Sequence, residues 1–102
     1  MLVHEASGWT VVRIEGDLDA RSGLDLMMVL GGVIGAGRTR IAVDLSAIGA
    51  CDLPGARRVL SAAAQARHSG GELIVVHDRP SQSGPGLREL ARALPVVPAP
   101  PR

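Results

Sequence analysis

Two short runs of branched apolar residues, with a helical pattern between them, constrain the fold of this chain most strongly. Arg40 to Ser46 (RIAVDLS) and Glu72 to His77 (ELIVVH) have the composition of buried strands. Between them, apolar side chains recur at helical spacing from about Leu53 to His68. A strand, a helix and a strand in succession favour a parallel pair joined by a right-handed crossover. The sequence therefore predicts an α/β protein.

The flanking segments extend this pattern into one domain. The first two strands are predicted to form a hairpin around Ser7-Gly8, and a helix capped by Asp19 or Ser22 is predicted to end at Gly35. With 102 residues, the chain has room for one core that buries roughly 65% of its surface. The prediction is a mixed sheet of four to five strands with an N-terminal hairpin and about three helices over residues 1–97, followed by a disordered tail over 98–102. The remaining predicted elements are the strands Leu2–Ala6 and Trp9–Glu15, a loop from Asp78 to Gly86, a helix from about Pro85 to Leu94, and a strand at Val96-Val97.

Composition excludes several classes of function. All eleven basic residues are arginine, and they are interspersed with ten acidic residues for a net charge of +1. Nucleic acids and anionic membranes require a basic patch, so neither is an expected partner. Trp9 is the only aromatic residue, so the core must be built from Leu, Val, Ile, Ala and Met. The arginine, alanine and glycine usage indicates a GC-rich bacterial genome.

The single cysteine and the apolar runs bear on the cellular compartment. Cys51 has no second cysteine with which to form an internal disulfide, which fits a reducing compartment. No apolar run approaches the ~20 residues of a membrane span, and the first residues lack the pattern of a signal peptide. We therefore expect a soluble cytoplasmic protein.

Four motifs in register carry a family resemblance. Gly16, Leu18 and Asp19 match the pattern G-x-L-D before the first helix. The strand IAVDLS supplies a hydrophobic-D-L-S pattern, and Asp52 with Gly55 matches part of D-S-S/T-G-L before the second helix. The fourth is the turn GGEL, which leads into IVVH. Over residues 9–97 the chain resembles the STAS domains of bacterial anti-sigma factor antagonists.

The resemblance implies a regulatory function without catalysis. In such antagonists a serine at the start of the second helix is phosphorylated by a partner anti-sigma factor that has kinase activity. The added charge, close to −2 near neutral pH, then disrupts the docking surface. The unphosphorylated antagonist binds the anti-sigma factor and releases the sigma factor, so the expected roles are transcription regulation and stress signalling.

This chain departs from the family pattern at the phosphorylated position. Leu53 stands where the family has that serine, and Pro54 follows it. Leu53 cannot accept a phosphate, whereas Pro54 suits the first turn of a helix and Asp52 can cap it. The resemblance therefore implies a divergent member that docks an anti-sigma factor or another STAS or signalling protein without being switched at this site. The predicted partner-binding residues are Asp19, Ser46, Asp52, Leu53, Pro54, Gly55, Arg57 and Arg58.

Several of these residues have simpler explanations. Asp52 could be a helix cap alone, contributing about 1 kcal/mol. Leu53 could be an interface anchor or a core residue. Ser46, Ser61 and Ser22 could be substitute phosphorylation sites, although the positions of all three also suit ordinary structural roles.

Other functions are weaker alternatives. The segment VVPAPPR follows the last strand where the family has a further helix, so a scaffold that self-associates, as a homodimer or a larger assembly, through an uncovered C-terminal edge is one of them. Small-ligand or nucleotide binding at the strand ends is another, and Cys51 with His77 could form a thiolate pair there. Neither residue lies in a recognisable catalytic signature, and the three histidines lack metal spacing, so we expect no enzyme activity, cofactor or metal.

Overall fold

A computed structural model describes residues 1–79 and 84–102. Within them the chain forms a five-stranded sheet in the order β1-β2-β3-β4-β5. The hairpin pair β1 and β2 is antiparallel, and all later neighbours are parallel. The predicted mixed sheet with an N-terminal hairpin and three helices is thus confirmed. In chain order the elements are β1 Leu2–Ala6, β2 Trp9–Leu18, α1 Ala20–Gly35, β3 Arg40–Cys51, α2 Leu53–His68, β4 Glu72–Val76, α3 Pro85–Ala93 and β5 Val96–Val97.

All three helices lie on one face of the sheet. From β2 to β5, each new strand is added at the same edge of the sheet, next to the strand before it in the chain. One helix connects each pair of successive strands. Right-handed crossovers in one direction place every helix on the same face. Buried side chains of the three helices accordingly form one core cluster with one side of the strands. The opposite face carries a smaller apolar cluster built around Val11, Ala42, Ile74 and Val76.

The helix-covered core is built from small and branched side chains. α1 contributes Leu26 and Leu30, both fully buried, and α2 contributes mainly alanines. The expected use of methionine in the core is wrong, because Met28 is 70% exposed and Met1 is 53% exposed. Alanine suits α2 because this helix packs against α1 on one side and α3 on the other, where larger side chains would hold the backbones apart.

Element boundaries differ most from the predictions in the two central strands. Strand β3 continues past Ser46 to Cys51, through the segment predicted to be a loop, and β2 continues past Glu15 to Leu18. The pairing between them shifts register twice, so β3 carries two extra residues relative to β2. Such β-bulges let a strand bend while pairing resumes beyond them. The predicted bounds of α2 match the structure, while β4 and α3 each end one residue earlier than predicted.

Other parts of the prediction have different outcomes. The predicted loop from Asp78 to Gly86 lies outside the described residues at positions 80–83. The strand predicted at Val96-Val97 is present and pairs with β4. No helix in the described part of the chain is long and apolar enough to cross a bilayer.

Alanine substitution at two glycines is expected to change the free energy of unfolding in opposite directions. A Cβ at Gly71 would collide with the Thr39 backbone where β3 and β4 begin, whereas a Cβ at Gly31, inside α1, would meet open space. We expect Gly71→Ala to destabilise the protein by about 1–3 kcal/mol through overpacking. Gly31→Ala should stabilise it by about 0.5–1 kcal/mol through helix propensity. Urea unfolding monitored by circular dichroism measures both, and equal effects would contradict this account of the β3–β4 junction.

Candidate functional site

The candidate site is built on the carboxyl ends of β2 and β3, which lead into α1 and α2. Leu18 pairs with Cys51 at the end of the ladder, and the Asp52 N–H donates a hydrogen bond of 3.1 Å to the Leu18 carbonyl. Because each strand passes directly into a helix, this pairing places the first turns of α1 and α2 side by side. The two helix starts therefore form one surface.

At each of the two bulges in β3, a backbone N–H donates a hydrogen bond to a carboxylate. At the first bulge, Asp44 Oδ1 accepts the Ser46 N–H at 3.0 Å and the Ser46 hydroxyl at 2.6 Å. At the second, Asp17 Oδ1 accepts the Ala50 N–H at 3.0 Å. Asp44 is 3% exposed, so its hydrogen bonds also satisfy a buried polar side chain. These carboxylates hold β3 on the path that ends at Asp52.

Both helix starts are capped by aspartate. Asp19 Oδ1 accepts the N–H groups of Arg21 and Ser22, and the Ser22 hydroxyl accepts the Asp19 N–H, which completes a capping box. These hydrogen bonds, above all those from Ser22, lower the pKa of Asp19. Asp52 Oδ1 accepts the Gly55 N–H at 2.7 Å and caps α2. Asp19 and Asp52 therefore have at least the structural role that the sequence allowed.

A shallow groove of about 240 Å³ runs between the starts of α1 and α2. Ala20 lines it from α1, and Pro54, Arg57, Arg58 and Ser61 line it from α2. Leu53, the first residue of α2, is 40% exposed and is therefore not a core residue. Among the described residues that line the groove, arginine supplies all of the charge. An apolar side chain thus lies beside a positively charged groove, which we call the Leu53 surface: Ala20, Leu53, Pro54, Arg57, Arg58 and Ser61.

The remaining predicted site residues have other positions. Gly55 is buried, and a Cβ there would lie 2.5 Å from the Leu18 carbonyl oxygen, so it allows close packing and offers no surface for contact. Ser46 is exposed, but its hydroxyl is bound to Asp44 at the first bulge. The structure thus brings Leu53, Pro54, Arg57 and Arg58 together next to the Asp52 cap.

Asp17 was not predicted as a site residue from the sequence. It occupies the variable position of the pattern G-x-L-D, and its partner, the Ala50 N–H, lies 33 residues away. The sequence signal was the dipeptide Gly16-Asp17 at the predicted end of β2, and the structure places Gly16 there with a φ of +79°. Aspartate in such an irregular strand end often accepts backbone hydrogen bonds.

Cys51 lacks the properties of a catalytic nucleophile. It is 1% exposed, and burial together with the neighbouring Asp52 raises the pKa of its thiol to about 11. Its Sγ lies 3.6 Å from the Asp52 carbonyl oxygen, and His77 Nδ1 accepts the Arg79 N–H at 2.9 Å. Nucleophilic cysteines have a lowered pKa. In the described part of the chain, no three His, Cys, Asp or Glu side chains form a group that could hold a metal ion.

Comparisons with known proteins agree with this fold. A protein-family model described as "Mlab, STAS domain" matches residues 1–96. The crystal structure of an anti-sigma factor antagonist from Mycobacterium paratuberculosis has 24% sequence identity and a TM-score of 0.78, covering 96% of this chain and 84% of that one. The unphosphorylated anti-sigma factor antagonist SpoIIAA has 19% identity and a TM-score of 0.73, covering 97% of this chain and 88% of its own.

A further solved structure has the same fold. RsbS from Moorella thermoacetica, as a serine-to-glutamate variant, has 20% identity and a TM-score of 0.72, covering 94% of this chain and 84% of that one. At such identities these structures establish the fold. No protein of curated function matches the chain.

Removal of the Asp17 carboxylate is expected to loosen the second bulge. Asp17→Ala leaves the Ala50 N–H without its acceptor, whereas Asp17→Asn keeps an oxygen there. We expect the alanine variant to lose about 1 kcal/mol of stability and its Ala50 amide to exchange faster with solvent. The asparagine variant should retain most of the protection. Hydrogen exchange followed by NMR measures the protection of the Ala50 amide, and Asp25→Ala, at an exposed position of α1, is the control. Unchanged protection of Ala50 in the Asp17→Ala variant would contradict the role assigned to Asp17.

The thiol of Cys51 is expected to be unreactive in the folded protein. Its burial and its pKa of about 11 leave almost no accessible thiolate at pH 8. A disulfide reagent that releases a coloured thiol should therefore react slowly with the native protein. In guanidinium chloride, the unfolded protein should react with one equivalent of the reagent. Rapid reaction of the native protein would revive the thiolate-pair hypothesis.

Proposed function

Because the chain belongs to the STAS domain family, we propose that it is a protein-binding regulator that docks an anti-sigma factor through the Leu53 surface. Its structural likeness to anti-sigma factor antagonists supports a regulatory STAS protein of this kind. In this proposal the domain acts by occupying its partner and has no catalytic activity. The raised pKa of the buried Cys51 thiol argues against a nucleophilic role for this cysteine.

The observation that carries the proposal is the exposure of Leu53. A leucine that is 40% exposed at the first position of a helix forms no part of the core, and it is fixed there by the Asp52 cap and by Pro54. An apolar side chain on a rigid element binds at small entropic cost, because little freedom remains to be lost. Leu53 therefore has the properties of an interface anchor.

The charge of the groove indicates the chemistry of the partner. Arg57 is exposed, and the half-buried Arg58 has its Cβ and Cγ packed where α1 approaches α2, next to Gly23. Guanidinium groups form paired hydrogen bonds with carboxylates. We therefore expect the docking segment of the partner to present Asp or Glu side chains around an apolar pocket that receives Leu53.

The absence of a hydroxyl at position 53 bears on regulation. A phosphate at the start of α2 would introduce about two negative charges beside Arg57 and Arg58 and would mask them. Leu53 cannot be phosphorylated, so docking in this protein is proposed to be independent of phosphorylation at this position. Ser61 also lines the groove, and its modification would give the same electrostatic result.

Substitutions on the Leu53 surface should weaken docking without unfolding the domain. Leu53→Glu removes the anchor and adds a negative charge, and Arg57→Glu reverses a charge in the groove. Each is expected to lower affinity at least tenfold, or about 1.4 kcal/mol, as loss of an interface anchor does. The measurement is co-purification with the anti-sigma factors of the source organism, followed by titration calorimetry with any that is recovered.

The matched control reverses a charge elsewhere on the same helix. Arg67→Glu lies ten residues beyond Arg57, about 15 Å along α2. This variant should bind as well as the parent. If Leu53→Glu and Arg57→Glu are folded and retain parental affinity, the docking surface lies elsewhere. Recovery of other STAS domains in place of an anti-sigma factor would favour the scaffold alternative.

A further inference from the structure

The strand β1 is exposed on both of its faces and along one edge. It is the terminal strand of the sheet, and four of its five residues are exposed, including Leu2 at 62% and Val3 at 50%. The opposite edge of the sheet differs, because β5 has two residues flanked by Pro95 and Pro98. Proline and short length prevent pairing with another strand. Only the β1 edge is long enough and regular enough to accept one.

The hairpin geometry fixes which backbone groups of β1 point outward. Ser7 and Gly8 both have positive φ, as in the two-residue turns of tight hairpins, so the flanking residues Ala6 and Trp9 form a hydrogen-bonded pair. Because bonded and non-bonded pairs alternate, His4 also bonds to β2, whereas the N–H and C=O groups of Val3 and Glu5 point away from the sheet. These groups form the template for a new strand.

The edge lacks the devices that normally prevent pairing. Leu2–Ala6 contains no proline or lysine, and its register with β2 is regular. Its one acidic residue, Glu5, is already engaged, because its carboxylate accepts a hydrogen bond from Thr10 Oγ1 and forms an ion pair with Arg38. The charge that would repel an approaching strand is therefore offset within the chain.

A groove accompanies this edge on the helix-covered face; it is mostly apolar, with Glu5, Thr10 and Arg38 at its polar end. Val3 lines it from β1, and Val29, Gly32, Val33 and Ala36 line it from α1. Val29 and Val33 are only half-buried, because α1 packs over β2 and leaves β1 uncovered. A strand added to β1 would lie along the open side of this groove.

We infer that β1 is the interface of a homodimer, in which the β1 strands of two copies pair antiparallel around a twofold axis at His4. In this register His4 faces His4 of the second copy in a non-hydrogen-bonded pair, and Val3 faces Glu5. All five residues of the strand are then paired, and the two sheets become one of ten strands. The interface is distinct from the Leu53 surface, since α2 packs over β3 and β4.

A second copy fits this edge better than an isolated peptide. The axis is perpendicular to the sheet, so the α1 helices of both copies lie on the same face. The two β2 strands are then three strand spacings apart, about 14 Å, and the α1 helices approach each other above the β1 pair. Val3, Val29 and Val33 of the two copies thereby face each other across the β1 pair. A peptide would supply the backbone hydrogen bonds but no second α1.

Cysteine cross-linking tests the register. In a Cys51→Ala background, His4→Cys places two thiols across the twofold axis with Cα atoms about 4.5 Å apart, within the range of a disulfide. The matched control Val3→Cys places them about 9 Å apart, which is too far. With oxidised glutathione as the oxidant, we expect H4C to form a covalent dimer and V3C to remain monomeric. Equal cross-linking of the two, or none of H4C, would overturn the proposal.

A proline at an outward-facing position tests the pairing without a cross-link. Val3→Pro removes an N–H that β2 does not use, so the monomer should fold while the dimer is lost. Val3→Ala keeps the N–H and controls for the lost side chain. Light scattering over a concentration series is expected to show dimers for the parent and V3A, and monomers for V3P. A parent that is monomeric at millimolar concentration would refute the interface even if every variant is folded, and it would leave docking through the Leu53 surface unaffected.

Discussion

The hydrogen bond from the Asp52 N–H to the Leu18 carbonyl is the contact on which the candidate site depends. It closes the ladder between β2 and β3 beyond the end of β4, and it joins the residues that immediately precede α1 and α2. Two bulges in β3 are needed for the strands to reach this point in register. Asp44 and Asp17 accept the amide groups at those bulges, so two carboxylates determine where the Leu53 surface stands.

Close backbone contacts convert this ladder into a surface of fixed shape. Gly55 lets α2 approach the Leu18 carbonyl, and Gly23 lets α1 approach α2 at Arg58. At the start of α3, a Cβ on Gly86 would collide with the Asp52 carbonyl. The first turns of all three helices therefore converge around Asp52, and each contact is possible because one partner has no side chain. A surface held by backbone contacts changes little when a partner binds, which favours rigid docking.

The sequence predicted the architecture better than the geometry of the site. Branched runs, helical spacing and glycine stops located the strands and α2 because these patterns depend on local periodicity. The extension of β3 to Cys51 was missed because SAIGAC has a loop-like composition, and its strand conformation depends on a carboxylate from β2. The exposure of Leu53 could not be decided from its spacing, since a leucine at a helix start is equally suited to a core. Methionine was assigned to the core on hydrophobicity alone, whereas Met28 projects from the outer side of α1.

The one-sided arrangement of the helices links the two proposed surfaces. Because every crossover runs in the same direction and all three helices pack on one face, the Leu53 surface lies in a single helical layer and β1 is left outside it. In a dimer through β1, the twofold axis perpendicular to the sheet would put both Leu53 surfaces on the same side of a ten-stranded sheet. A partner with two docking segments would then bind both at once, with an effective concentration set by their separation. Position 53 has no hydroxyl, and under the two proposals assembly would control docking without a phosphate. The number of paired docking surfaces would then depend on the concentration of the chain itself.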